Sequence, residues 1–312
     1  MRTVRLLYNP RSGGKRRHAQ LDAALALLTE SGIDASVVVT QSSAEATLEA
    51  GKAVEAGCDT VFACGGDGTI HDVIQGLAGT SVALAILPLG TANALAHDLR
   101  IPLSPVAAAR AALTAKPRRI ALGHVVYRDL AGASASCYFT VAAGVGVDAH
   151  LFYKLHSGMK QRLGMAAYYA KAWHLWMTHR MRKFAVEYRE VGETSTSAAD
   201  VTELLAVRIS NFGGILKELA PGASLDRDDV RLVLCRSSSR AAYLHYVFRG
   251  LAGARWNVSG IDLVHAERVS CIPDLNRAED GERIYIEADG ELLGTIPAEI
   301  TMVRDSLTLL AP

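Results

Sequence analysis

The stretch Thr60-Val61-Phe62-Ala63-Cys64-Gly65-Gly66-Asp67-Gly68-Thr69 joins an uninterrupted apolar run to a glycine-rich turn. Ile70, Val73, Ile74 and Leu77 follow at helical spacing. A short run apolar at every position reads as a strand buried on both faces, as in a parallel sheet. The glycines allow bulky oxygens to approach the backbone, and the start of the following helix points its free N–H groups at them. Strand, turn and helix therefore form a phosphate cradle. Asp67 offers oxygen to a hard cation such as Mg²⁺, or acts as a turn carboxylate that accepts backbone amides.

The same unit recurs on either side. Val4 to Tyr8 is a short strand leading into Asn9-Pro10-Arg11-Ser12-Gly13-Gly14-Lys15. Leu21, Ala24, Leu25 and Leu28 then share a helix face, and Gly32 lies just past its end. Ala35 to Val39 reads as the next strand, and Ser42 with Glu45 has capping-box spacing before another helix. Val82 to Leu87 runs into Pro88-Leu89-Gly90-Thr91-Ala92-Asn93. Short strands separated by helices imply an α/β fold with a doubly wound parallel sheet, in which ligands bind beyond the carboxyl ends of the strands. Both glycine turns fall at such ends.

After Lys116-Pro117-Arg118 the rhythm changes. Tyr138 to Ala142, Phe184 to Tyr188, Leu204 to Ile209, Val230 to Cys235, Val258 to Val264, Ile284 to Glu287 and Ser306 to Leu310 read as short strands. The expectation is a second, β-rich domain built on antiparallel, sandwich-like sheet. Glu193 to Ser197 reads as a solvated turn.

The chain has 312 residues, 33 basic and 32 acidic, and a formal net charge of +1. Half of the residues are hydrophobic, which excludes a largely disordered chain. A charge this near zero gives no signature of a nucleic-acid partner. The five cysteines are an odd number and show no CxxC spacing, so free, mostly buried thiols are expected. With no signal-peptide pattern and no apolar run of about 18 residues, the reading is a soluble cytoplasmic protein. Residues 149 to 183 hold seven Lys and Arg and no acidic residue, interleaved with aromatic and apolar side chains. Such a segment suits transient contact with an anionic membrane surface, or packs on the second domain with its charges snorkelled.

Several patterns are excluded or weak. There is no GxxxxGK[ST] loop and no HRD and DFG pair. Gly144 to Ala149 fits GxGxxA, but no acidic residue follows at the distance a dinucleotide site requires. The histidines show no zinc spacing, and His71 reads as a residue that packs on the helix or lines the phosphate cradle.

Taken together, the Asn9–Gly13 NPxSG loop, the Gly65–Thr69 GGDGT turn and the Pro88–Asn93 PxGTxN turn resemble the diacylglycerol kinase catalytic-domain family. So do Ser210-Asn211 with Gly213-Gly214, and the late Asp289-Gly290-Glu291. The resemblance is to its soluble bacterial lipid kinases, related to sphingosine and ceramide kinases, and it spans nearly the whole chain. It implies an ATP-dependent kinase in which residues 1–118, completed by 293–312, bind ATP and residues 119–292 bind the lipid substrate.

Carried over residue by residue, the nucleotide site is Asn9, Lys15, Thr40, Gly65, Gly66, Asp67, Gly68, Thr69, Thr91 and Asn93. Asp289 takes the proton of the lipid hydroxyl, and Glu291 orients it or the metal. Mg²⁺ is expected at Asp67, with a second site at Asp226, Asp228 and Asp229. There the chain departs from the family by Arg227 and a shortened spacing. Ala94 likewise stands where relatives carry Asp. The substrate reading is a lipid alcohol, first diacylglycerol. The alternatives are another lipid alcohol such as a sphingoid base or ceramide, NAD phosphorylation, and a non-catalytic binding protein. A homodimer through a strand edge is left open.

Overall fold

The computed structural model describes all residues except 13–14, 148, 150–180, 214–217, 254–256 and 274–282, and of residues 15–18 it describes the helical backbone alone. The basic, aromatic stretch within 149–183 therefore lies almost wholly outside the described residues.

The first lobe alternates strand and helix: β1 (Thr3–Tyr8), α1 (Lys15–Glu30), β2 (Asp34–Val39), α2 (Ser43–Glu55), β3 (Thr60–Gly65), α3 (Asp67–Leu77), β4 (Ala83–Pro88), α4 (Ala94–Asp98) and α5 (Pro105–Thr114). The strands are parallel in the order β2-β1-β3-β4. Every residue of β3 and β4 is buried, as their uninterrupted apolar runs require, whereas edge strand β2 is largely exposed or half-buried. Ser42 caps α2 by accepting the Glu45 N–H at 3.2 Å. Glu45 reaches back one residue further than a capping box would, to the Gln41 N–H at 2.7 Å.

The second lobe is antiparallel: β5 (Lys116–Arg128), β6 (Ser134–Phe139), β7 (Ala142–Gly146), β8 (Phe184–Glu190), β9 (Ser197–Val201), β10 (Glu203–Val207), β11 (Val230–Cys235), α6 (Arg240–Leu251), β12 (Ile261–Ile272), β13 (Tyr285–Ala288) and β14 (Glu291–Ala311). The expected α/β lobe followed by a β-sandwich-like lobe is thus observed, and all five cysteines are free and buried. Several details differ from the sequence reading. The Lys116-Pro117-Arg118 tripeptide, after which the sequence rhythm changes, itself opens β5. Tyr138 to Ala142 holds the end of one strand, a bend at Thr140-Val141 and the start of another. Gly144, in the GxGxxA pattern, sits inside β7 opposite Leu205 and Glu287.

One strand binds the lobes together. The start of β14 pairs with β13 and its middle with β12 and β5. Beyond a register shift between Val303 and Leu307, its end runs parallel to β4, with Thr308 opposite Ala83 and Leu309 opposite Leu84. Leu307, Leu309 and Leu310 thereby enter the apolar core of the first lobe. Among the described residues a single 14-stranded network results. It sets the β13–β14 turn directly over the cradle at the start of α3.

Candidate active site

The cradle is built by glycines that let two turns touch. A Cβ on Gly90 would lie 2.5 Å from the Gly66 Cα, and one on Gly65 would collide with the Thr69 side chain. The Leu89 and Gly90 N–H groups both donate to the Gly65 carbonyl, at 2.8 and 3.2 Å. Gly66 precedes α3 without any side-chain cap, so the first N–H groups of the helix face the cradle unclaimed by a side chain.

The loop after β1 joins them. The Asn9 Nδ2 donates to Thr69 Oγ1 at 3.2 Å, and its Oδ1 accepts the Arg11 N–H at 2.9 Å. Asn93 is buried with φ +50°; its Nδ2 donates to the Gly90 carbonyl at 2.9 Å, while its Oδ1 has no partner. Thr91 is exposed at the mouth. Thr40 is buried at the end of β2, where its N–H donates to the Tyr8 carbonyl at 2.8 Å. Lys15 opens α1, and its side chain lies outside the described structure.

Asp67 Oδ1 accepts the Ala94 N–H at 2.7 Å and so caps α4 from the neighbouring turn. Ala94, which has no side-chain acceptor of its own, thus has its N–H held by Asp67. Burial raises the Asp67 carboxyl above its ordinary range, and the charge of Asp289 adds to the rise.

Asp289 comes from the β13–β14 turn with φ +50° and a side chain that is almost wholly buried. Its Oδ1 accepts the Val141 and Ala142 N–H groups at 2.8 and 3.2 Å. Its Oδ2 accepts the Thr140 N–H at 3.0 Å and hydroxyl at 3.3 Å, and meets His71 Nδ1 at 3.3 Å. Both oxygens are fully engaged by the protein. Burial lowers the affinity of His71 for a proton, but the Asp289 hydrogen bond and the charges of Asp289, Asp72 and Glu291 outweigh it, so its pKa is raised.

Glu291 is exposed, and its Oε1 would lie 2.7 Å from a Cβ placed on Gly68. It thus overhangs the first turn of α3. Desolvation, with the neighbouring Asp72 and Asp289, raises its carboxyl, against the opposing effect of His71. His71 was legible in the sequence only as a residue after GGDGT; nothing in the spacing brings it to a residue of the other lobe.

The acidic loop differs. Asp226 is paired with Arg118, Asp228 with Arg304 at 3.6 Å, and Asp229 with Arg227 and with His265 at 2.9 Å. Behind it, the fully buried Arg208 guanidinium donates to the carbonyls of Ala121, Arg227 and Asp229 at 2.6–2.8 Å. Burial works to raise the Asp229 carboxyl, but Arg227 and His265 lower it below its ordinary value. The three carboxylates turn to separate cationic partners, and this donor set does not fit a shared cation. No group of three or more metal-ligating side chains is gathered among the described residues. Ser210 and Asn211 also serve the frame: both N–H groups and the Ser210 hydroxyl donate to Asp98 Oδ1 at 2.8–2.9 Å, fastening α4 to the second lobe.

A family model for the diacylglycerol kinase catalytic domain matches residues 3–125, and one for the YegS C-terminal NAD kinase beta sandwich-like domain matches residues 140–311. The second model spans more than half of the chain, which belongs to that family, and residues 3–125 belong to the diacylglycerol kinase catalytic-domain family. The chain is 28% identical over 315 residues to the diacylglycerol kinase of Bacillus subtilis (strain 168), covering 100% of this chain and 97% of that one. It is 26% identical over 313 residues to the diacylglycerol kinase of Staphylococcus aureus (strain bovine RF122 / ET3-1), covering 99% and 92%. Among solved structures it is similar to a diacylglycerol kinase of Bacillus anthracis str. Sterne, with TM-score 0.70, 18% identity and 99% and 97% coverage. It also resembles yeast NADH kinase complexed with NADH, with TM-score 0.51, 11% identity and 100% and 84% coverage. At these structural identities the likeness concerns the fold alone. Among the described residues, no helix of this family member is long and apolar enough to cross a membrane.

Proposed function

We propose that the protein is an ATP-dependent lipid kinase that transfers the γ-phosphate to a lipid hydroxyl, with diacylglycerol as acceptor and phosphatidic acid as product. The observation that carries this reading is the meeting of two lobes at one point. Gly65 to Thr69 offers a phosphate cradle, and the β13–β14 turn brings a free carboxylate, Glu291, over it.

ATP fits the cradle because Gly65, Gly66 and Gly90 let the two turns close together at the start of α3, whose first N–H groups carry no side-chain cap. Asp67, at the start of α3 with its carboxyl raised by burial and by the charge of Asp289, fits a hard cation as its counter-charge. Asp67 would hold it, leaving Glu291 uncoordinated. When bound, Mg²⁺ neutralises charge on the phosphate oxygens.

The chain's own residues divide the remaining work. Glu291 accepts the proton of the lipid hydroxyl as its oxygen bonds to the γ-phosphorus and the bond to the β-phosphate bridging oxygen breaks, releasing ADP. Asp289, expected from the sequence to be the base, accepts the Thr140, Val141 and Ala142 N–H groups, and we assign it to positioning the turn that carries Glu291. The uncapped N–H groups of α3 and the backbone of the Gly90 turn steady the phosphates.

Mg²⁺-dependent transfer of label from γ-labelled ATP to a panel of lipid alcohols in detergent micelles tests the reading. A single labelled phospholipid supports it and names the acceptor. NADP formation would move the activity to NAD phosphorylation, a reading favoured only by the shared sandwich fold.

A further inference from the structure

On the far side of the second lobe, three strands from β7, α6 packs against β11 and β12 beside a cavity of about 610 Å³. Arg231, Arg236, Arg249, Tyr188, Tyr246 and Asn257 are among the residues that line it. Arg236 is paired with Asp262 at 2.7 Å. Arg231 and Arg249 have no ion-pair partner among the described residues, and the Nε of each is buried without a hydrogen bond. Arg249 is only 2% exposed; it lies over the Tyr246 ring at 4.3 Å and donates to the Leu219 carbonyl at 3.3 Å. The nearby Asp229 is already engaged by Arg227 and His265. The Arg249 guanidinium is out of water without a counter-charge, which is costly, and the half-buried Arg231 lines the same cavity, so the cavity is short of an anion.

The adjoining face of α6 completes the pattern. Leu244, Val247, Phe248 and Leu251 recur at i, i+3, i+4 and i+7 and are all exposed, Phe248 to 61%. Between Val230 and Ile261 the chain carries five arginines and no acidic residue, and Asp229 and Asp262 flank the stretch. Asp262 pairs with Arg236, which leaves Arg231 and Arg249 as the cations of the cavity without a carboxylate partner among the described residues. An exposed apolar stripe beside a surplus of positive charge is complementary to an anionic bilayer surface.

We propose that α6 docks on anionic membrane, with Leu244, Val247, Phe248 and Leu251 in the acyl boundary and a lipid phosphate headgroup in the cavity of Arg231 and Arg249. The site is separate from the cradle and does not depend on the kinase reading.

Co-sedimentation with vesicles tests it, comparing pure phosphatidylcholine with vesicles in which about a third of the lipid is phosphatidylglycerol. The wild type binds the anionic vesicles and not the neutral ones. Arg231→Gln weakens that binding roughly five-fold, and Phe248→Ser weakens it about ten-fold or more. Both variants keep wild-type melting temperatures and wild-type turnover of micellar substrate. Equal vesicle binding by the wild type and both variants would overturn the site. So would saturation of Arg231 by inorganic phosphate without vesicle binding, which would leave a free anion as occupant. Loss of lipid phosphorylation by the wild type would fall on the kinase reading alone.

Discussion

His71 Nδ1 meets Asp289 Oδ2 at 3.3 Å, across 218 positions of sequence and between the two lobes. The imidazole sits in a near-closed pocket among Asp289, Asp72 and Glu291, and its proton is held more tightly than in the unfolded chain. A group whose folded pKa is raised contributes stability that is fully present below its unfolded pKa, about 6.5, and that fades as pH rises through the folded value. Urea unfolding of His71→Leu against wild type should therefore show a larger deficit at acid than at alkaline pH. A deficit that grows toward alkaline pH would contradict the charged pair.

Asp289 and Glu291 should separate in their effects. Asp289→Asn turns an amide donor toward backbone N–H groups that need acceptors, so it should cost about 2–4 kcal/mol and lower the melting temperature. Glu291→Gln touches an exposed side chain and should leave the melting temperature within about 1 °C while turnover falls roughly 100-fold or more. Thermal melts beside initial rates decide it. Full turnover in Glu291→Gln would return the proton-accepting role to Asp289.

Because the Glu291 carboxyl is raised, the unprotonated form needed to accept a proton is lost at a higher pH than for an ordinary glutamate. The acid limb of the kcat profile should lie above the usual carboxylate range. In Glu291→Asp it should persist, displaced, at reduced rate. An acid limb unchanged in position would point to another group.

Gly90→Ala places a methyl 2.5 Å from the Gly66 Cα, and neither backbone can yield without parting the two turns. The KM for ATP should rise about ten-fold or more with a smaller change in the lipid KM. Equal effects on both substrates would mean that the turns do not hold the nucleotide.

The Asp226–Asp229 loop should stand without a divalent cation. Asp228→Ala, which removes a largely exposed partner of Arg304, should cost no more than about 1 kcal/mol. Arg208→Met strands three carbonyls and should cost about 3 kcal/mol or more. A melting temperature that drops on chelation and recovers with Mg²⁺ only while Asp226 and Asp228 are intact would place a cation there.

The first lobe was legible because β3 and β4 are buried on both faces, and nothing but an apolar run can occupy such strands. The long ladder between β5 and β14 was not legible. Its exposed positions carry Lys116, Arg128, Arg304 and Asp305, which interrupt the apolar rhythm, and register with a distant partner supplies what the local pattern lacks. Helix α6 was hidden for the opposite reason: with Leu244, Val247, Phe248 and Leu251 exposed beside buried Tyr246, it is apolar on more than one face. At the site, GGDGT and DGE could be read as motifs. That Asp289 spends its oxygens on Thr140 to Ala142, leaving Glu291 free, depends on a bend between β6 and β7 that no local spacing announces.

The most direct measurement is transfer of label from γ-labelled ATP to a mixed lipid-alcohol panel, with Mg²⁺, for the wild type and Glu291→Gln side by side. The wild type should yield one phosphorylated lipid, identified by mass as phosphatidic acid, and the variant almost none while still binding ATP. ATP bound by the wild type with no lipid product under any acceptor would contradict a lipid kinase.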